Sequence, residues 1–223
     1  MERNWDMDEV SDGKRYHAND LVKLGCNDCA GCSDCCRNVG TYIVLDPYDI
    51  YQLEKQLQTG FDQLISNYLE LHVIDHVILP SLKMVEGTDQ CVFLNAEGRC
   101  SIHLARPGIC RLFPLGRIYE NGGFEYFLQV HECKKSNRTK LKIQKWLGIP
   151  QLKQYENFIS KWHYYLKNVE EEIKNAEDKK VKEITMQLLQ TFFLQPYDVT
   201  RDFYEQFEER MMEKAFDKSE CIH

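Results

Sequence analysis

No stretch of the 223-residue chain keeps apolar residues together over the roughly 20 positions that a bilayer crossing demands, so no membrane-spanning helix is expected. The start, Met1 to Asp12, is acidic and polar where an export leader is basic and then apolar, which predicts a cytoplasmic protein. Basic charge is scarce: 28 Lys and Arg stand against 35 Asp and Glu, a formal net charge of −7. Nucleic acid is therefore not an expected partner, since phosphate binding needs clustered cations, and only a local basic patch stays open. A Gly-Lys-Ser/Thr phosphate loop, a Gly-x-Gly-x-x-Gly turn and a His-Glu-x-x-His helix are all missing, which leaves nucleotide and metalloprotease chemistry without local support. The chain also lacks repeats and low-complexity linkers, and its 43% apolar and 28% charged residues match a folded globular protein.

What the sequence has in excess is cysteine. There are ten, too many for casual core filling in a reducing compartment, and metal is their natural partner. Cys26, Cys29, Cys32, Cys35, Cys36, Cys91, Cys100, Cys110 and Cys133 fall in the first 133 residues, and only Cys221 lies beyond. Charge divides the same way: residues 1–133 carry 11 basic and 20 acidic groups, net −9, and residues 134–223 carry 17 and 15, net +2. Two parts are expected, a cysteine-cluster metal-binding domain over 1–135 and a helical region over 136–223.

Residues 1–25 show no sustained period and are expected to be irregular. Asp46-Pro47 predicts a capped helix running through Tyr51, Leu53 and Leu57 to Gly60, with a second short helix carrying Leu64, Ile65, Tyr68 and Leu71. Val73 to Val85 and Cys91 to Leu94 are read as strands. Arg117 to Val130 predicts a β-hairpin around Asn121-Gly122-Gly123, residue types that tolerate positive φ. From Pro150 onward, Leu152, Tyr155, Ile159, Trp162, Leu166, Val169 and Ile173 step by 3 and 4, which places one apolar stripe on a long helix. Val181, Ile184, Leu188 and Phe192 repeat the step, and Phe203, Phe207 and Met211 mark a last helix. Such stripes are usually core, and the same spacing suits a contact between subunits, so a homo-oligomer through these helices is a second expectation. The fold class expected is α+β: short strands and helices around the cysteines, packed on a C-terminal helical hairpin or bundle.

Cys26, Cys29, Cys32 and Cys35 are spaced by three, which lets neighbouring thiolates curl round one small centre, as in zinc knuckles and iron–sulfur sites. In extended backbone the side chains of Cys35 and Cys36 would diverge and serve two centres or two metals. Cys91 and Cys100 flank a turn made by Gly98, and Cys110 follows in an Arg106-Pro107-Gly108-Ile109-Cys110-Arg111 run, so ligands would arrive from far along the chain. His103 and His131 stand near cysteines and can replace a thiolate at zinc or iron. Arg37, Arg106, Arg111 and Arg117 are expected to offset thiolate charge from just outside the centre.

The run Cys29-x2-Cys32-x2-Cys35-Cys36, followed by Cys91-x-Phe93-Leu94, Cys100-x-Ile102-His103 and Arg106-Pro107-x2-Cys110-Arg111-x-Phe113-Pro114, resembles the YkgJ-type cysteine-cluster family of zinc- or iron-chelating proteins. The likeness covers roughly residues 26–133 and implies metal chelation, often iron–sulfur. Bacterial flagellin lysine methylases carry a related cluster. Carried over by residue, it implies metal ligation by Cys29, Cys32, Cys35, Cys36, Cys91, Cys100 and Cys110, with Cys26 and Cys133 next. His103 stands where the family commonly has Tyr, and Lys134-Lys135 stand where it commonly has Pro-Gly.

Three readings follow: an iron–sulfur protein of the 4Fe-4S type with redox or electron-transfer work, a lysine methylase using S-adenosylmethionine, or a zinc-stabilised module that binds a protein partner. The substrate or partner and any catalytic residue are not readable from the sequence.

Overall fold

The computed structural model describes residues 6–26, 32–37 and 43–220, with only the backbone of 215–220. Its architecture follows from a few local devices. Asp46 caps the first long element, α2 (Pro47–Leu57), which follows a single turn, α1 (Met7–Val10). The Asp46 carboxylate accepts the Asp49 N–H at 2.9 Å and the Asp49 carboxylate accepts the Asp46 N–H at 3.2 Å, so each satisfies a donor left open by the helix start. Pro47 fits the first turn, where its missing N–H costs nothing. The helix ends at Gln58, φ +52°, and Gly60 opens the next one, α3 (Phe61–Asn67).

Leu71, expected on that second helix, lies instead in β2 (Leu69–Ile74), which pairs antiparallel with β3 (Val77–Leu82). The stretch expected as strand over Val73 to Val85 thus holds the end of β2, a turn and all of β3. Its turn, Asp75-His76, takes φ of +48° and +67°, the left-handed pair of a two-residue loop, with no glycine to announce it. The other hairpin stands where expected: β4 (Leu115–Glu120) and β5 (Gly123–Leu128) join through Asn121 and Gly122 at φ +52° and +78°. Between the hairpins lie a 3-10 turn (His103–Ala105) and α4 (Gly108–Leu112).

The expectation that residues 1–25 are irregular is corrected. Besides α1, they contain β1 (Leu21–Gly25), which pairs antiparallel with β6 (Thr139–Lys142). Val22 and Leu24 are buried while Leu21 is exposed, so apolar residues sit on both faces and blur the period of two.

After β6 come α5 (Ile143–Leu147), α6 (Leu152–Ile173), α7 (Asp178–Leu189), a π-helical turn (Gln190–Leu194) and α8 (Phe203–Glu220). The stripe on α6 is core: Tyr155, Ile159, Trp162, Val169 and Ile173 are buried, and Leu152 and Leu166 pack beside them. Phe158 meets Phe207 edge-on at 4.7 Å, and Trp162 meets Phe192 at 5.2 Å. The chain is therefore α+β, with three two-stranded antiparallel sheets among the described residues and its long helices at the C-terminus. Val22, Leu53, Leu115, Phe158 and Phe207 belong to one buried cluster. Tyr51 on α2 also donates from its hydroxyl to the carbonyls of Val199 and Arg201, at 3.4 and 3.3 Å. No helix among the described residues is long and apolar enough to cross a membrane.

Candidate metal centre

Asp34–Cys36 form one turn of 3-10 helix, so Cys35 and Cys36 do not diverge as they would in extended chain. Cys36 is the neighbour that acts most strongly on the Cys35 thiol. Backbone contacts then join this turn to the segment of Cys91. The Cys91 N–H donates to the Cys36 carbonyl at 2.9 Å, and Arg37 bridges to Gln90. The Arg37 guanidinium reinforces the join, donating to Gln90 Oε1 at 2.8 Å and Ser33 Oγ at 3.1 Å.

Cys91 and Cys100 flank a closed loop. Gly98 turns at φ +70°, the Asn95 N–H donates to the Arg99 carbonyl at 2.9 Å, and Leu94 bridges to Cys100. The Asn95 side chain accepts the Arg99 N–H at 2.8 Å, and the Ser101 N–H donates to Phe93 O at 2.8 Å. The two cysteines are thereby held on one small frame.

Cys110 arrives on α4, whose start is fixed from α2. Asp49 Oδ1, 3% exposed, accepts the Gly108 N–H at 2.7 Å. Gly108 is needed there because a Cβ would meet Tyr155 Oη at 2.1 Å. Arg111 ties the far side, donating to the Arg106 carbonyl at 3.0 Å, the Leu147 carbonyl at 3.4 Å and the Leu104 carbonyl.

The result is an electrostatic neighbourhood of thiols. The interaction with Cys36, which favours the protonated Cys35 thiol, then burial, raises the Cys35 pKa. Burial first, then Cys100 and Cys35, push up Cys91. Burial pushes Cys110 well up, with Cys91, Asp49, Cys35 and Cys100 adding to it. Burial also raises Cys100, against a pull from Arg106. Thiols that suppress one another's ionisation this way are short of positive charge, and a bound cation supplies it, because a coordinating thiol is deprotonated outright. In donor chemistry the group suits zinc or iron. Among the described residues, no group of three or more His, Cys, Asp or Glu side chains is placed to hold a metal ion.

The other predicted residues are distributed as follows. Cys32 and Cys133 are half-buried. Cys26 is half-buried and lines an open hollow with Gly25, Lys135, Ser136, Asn137 and Thr139. None of the eight described cysteines forms a disulfide. Cys29 and Cys221 lie outside the described residues. His103 Nε2 pairs with Arg106 Nη1 at 3.0 Å. Of the arginines, Arg106 acts on Cys35 and Cys100. Arg117 is elsewhere, donating to Tyr155 Oη at 3.2 Å and lying 5.2 Å from the Phe124 ring centre. Asp49 went unread in the sequence. The capping pattern Asp46-x-x-Asp49 was its only local signal, and nothing local told of its second bond to Gly108.

The chain matches the model of the CxxCxxCC family, the "Putative zinc- or iron-chelating domain", over residues 28–144, more than half its length. It belongs to this family. The matched span contains Cys29, Cys32, Cys35 and Cys36, which spell the family's pattern, and also Cys91, Cys100, Cys110 and Cys133; Cys26 falls outside it. It also takes in β6, the partner of β1. No curated protein and no solved structure matches the chain.

Proposed function

We propose that this member of the family holds an iron–sulfur centre and works in electron transfer. Cys35, Cys36, Cys91, Cys100 and Cys110 would bind it, together with Cys29 and Cys32 from the same run, and Cys26 and Cys133 are the next candidates. One observation carries the reading: the Cys36 and Cys91 segments, distant in sequence, are joined by a backbone hydrogen bond, and Cys35, Cys100 and Cys110 act electrostatically with Cys91 as one group. An iron–sulfur centre supplies one-electron transfer when bound. The chain's own residues do the rest. Thiolates hold, Arg106 offsets their negative charge, and the backbone N–H groups of Phe93 and Ile102 favour the thiolates of Cys91 and Cys100.

Anaerobic purification followed by iron, zinc and acid-labile sulfide analysis tests this. Iron with matching sulfide is expected, and zinc without sulfide overturns the iron–sulfur reading. Cys91→Ser and Cys110→Ser should each lower the bound metal per chain, while Cys221→Ser leaves it unchanged. Stripping the metal should lower the unfolding midpoint strongly, because a metal held by several thiolates can contribute on the order of 10 kcal/mol, as much as a whole domain's stability.

A further inference from the structure

An acidic chain concentrates its cations in one place. From Cys133 to Tyr155 there are seven basic residues, Lys134, Lys135, Arg138, Lys140, Lys142, Lys145 and Lys153, and no acidic one. The β1–β6 ribbon turns part of this run outward. Val22 and Leu24 face the core, whereas Leu21, Lys23, Lys140 and Lys142 are exposed. In the register of the ribbon Lys23 stands directly opposite Lys140, and Leu21 opposite Lys142. Like charges directly opposite each other destabilise a strand pair. Among the described residues no carboxylate forms an ion pair with Lys23, Lys135, Lys140, Lys142 or Lys145. Asp20, the acid nearest the ribbon in sequence, turns its carboxylate to the His17 N–H at 2.7 Å. Arg138 Nη1 is buried without a hydrogen-bond partner among the described residues. The hollow at the end of the ribbon, about 530 Å³, is lined by Gly25, Cys26, Lys135, Ser136, Asn137 and Thr139.

We propose that this ribbon binds an acidic, extended polypeptide segment of a partner protein. Charge complementarity selects the occupant. Lys140 and Lys142, two residues apart on one strand, are spaced about 7 Å along it, and carboxylates at alternate positions of an extended peptide repeat the same distance. Among the described residues β6 pairs with β1 and with no second strand, and an extended acidic segment could add to such a strand by main-chain pairing. The exposed face carries Leu21 and no aromatic ring, whereas single-stranded nucleic acid is usually gripped by stacking on aromatic side chains. Lysines on a strand edge also keep strands from aggregating, but that role does not require two of them face to face. The site stands independently of which metal the sulfur centre holds.

Fluorescence anisotropy with a labelled oligo-glutamate peptide and the purified full chain tests it. The peptide should bind at low salt and be released near 1 M salt, where the screening length falls to about 3 Å. Lys23→Gln/Lys140→Gln/Lys142→Gln should weaken binding by about tenfold. The control Lys180→Gln/Lys182→Gln on α7 should not change it, and circular dichroism should show both variants folded. Three results overturn the proposal: no binding of the peptide, equal binding by the ribbon and control variants, or tighter binding of an oligonucleotide of the same charge than of the peptide.

Discussion

Asp49 links two roles in a single side chain. One carboxylate oxygen closes the start of α2 and the other holds the Gly108 N–H that begins α4, two residues before Cys110. Asp49→Ala leaves two buried N–H groups without a partner, at a cost of about 1–3 kcal/mol each, whereas Asp49→Asn keeps one acceptor oxygen and turns an NH2 donor toward the other N–H. The alanine variant should therefore lose both stability and bound metal, and the asparagine variant should lose less of each, as read by urea unfolding and metal analysis. Gly108→Ala should cost about 1–3 kcal/mol by overpacking against Tyr155, with partial recovery in the double variant with Tyr155→Phe, measured by thermal unfolding. Glu54 supplies the pH test. Burial raises its pKa from 4.5 to about 7, against the Phe61 N–H and Arg210, which pull it down. Between those values the folded chain keeps a proton that the unfolded chain has lost, so stability falls as pH rises through 4.5 to 7. Burial likewise raises Asp49, from 3.8 to about 6, which adds a fall of the same sign over that lower window. Glu54→Gln should flatten the fall between pH 4.5 and 7, as seen in urea midpoints across that range.

At the level of elements, the two hairpins make a matched comparison. Both use two-residue loops with both residues at positive φ, but one has Asn121-Gly122 and the other Asp75-His76. Asn-Gly was legible because those residue types accept the left-handed region, while His pays a steric cost there that only tertiary context overrides. His76→Gly should accordingly raise stability by up to about 1 kcal/mol in urea titration. The helices were read well where a stripe of one face ran long, as on α6, and poorly where elements were short. Leu71 completes a helical period with Leu64, Ile65 and Tyr68 by chance. In fact α3 ends at Asn67 and the next residues extend as a strand.

Across the whole molecule, the aromatic core couples the helical tail to the thiol neighbourhood. Phe158 and Phe207 pack against each other, and Tyr48 on α2 stacks with Tyr204 on α8 at 5.7 Å. The helix that Asp49 sits on is thus braced by the C-terminal helices. Phe158→Ala should cost about 3–5 kcal/mol, as is typical for a buried aromatic, and should lower metal content as well as the unfolding midpoint. Unfolding followed by tryptophan fluorescence and by far-ultraviolet circular dichroism should give coincident transitions, because one buried cluster spans the chain from Val22 to Phe207.

Residue type and spacing alone determined that this is a sulfur-rich metal-binding chain with a helical tail, because thiol spacing and a 3.6-residue stripe are properties of short windows. Only the folded chain decided which thiols share a neighbourhood, that Arg106 and not Arg117 acts on them, that Asp49 holds Gly108, and that Leu21–Gly25 finds Thr139–Lys142. Those are contacts between segments tens of residues apart. No local pattern encodes them, and they arise when burial of one common core brings the segments together.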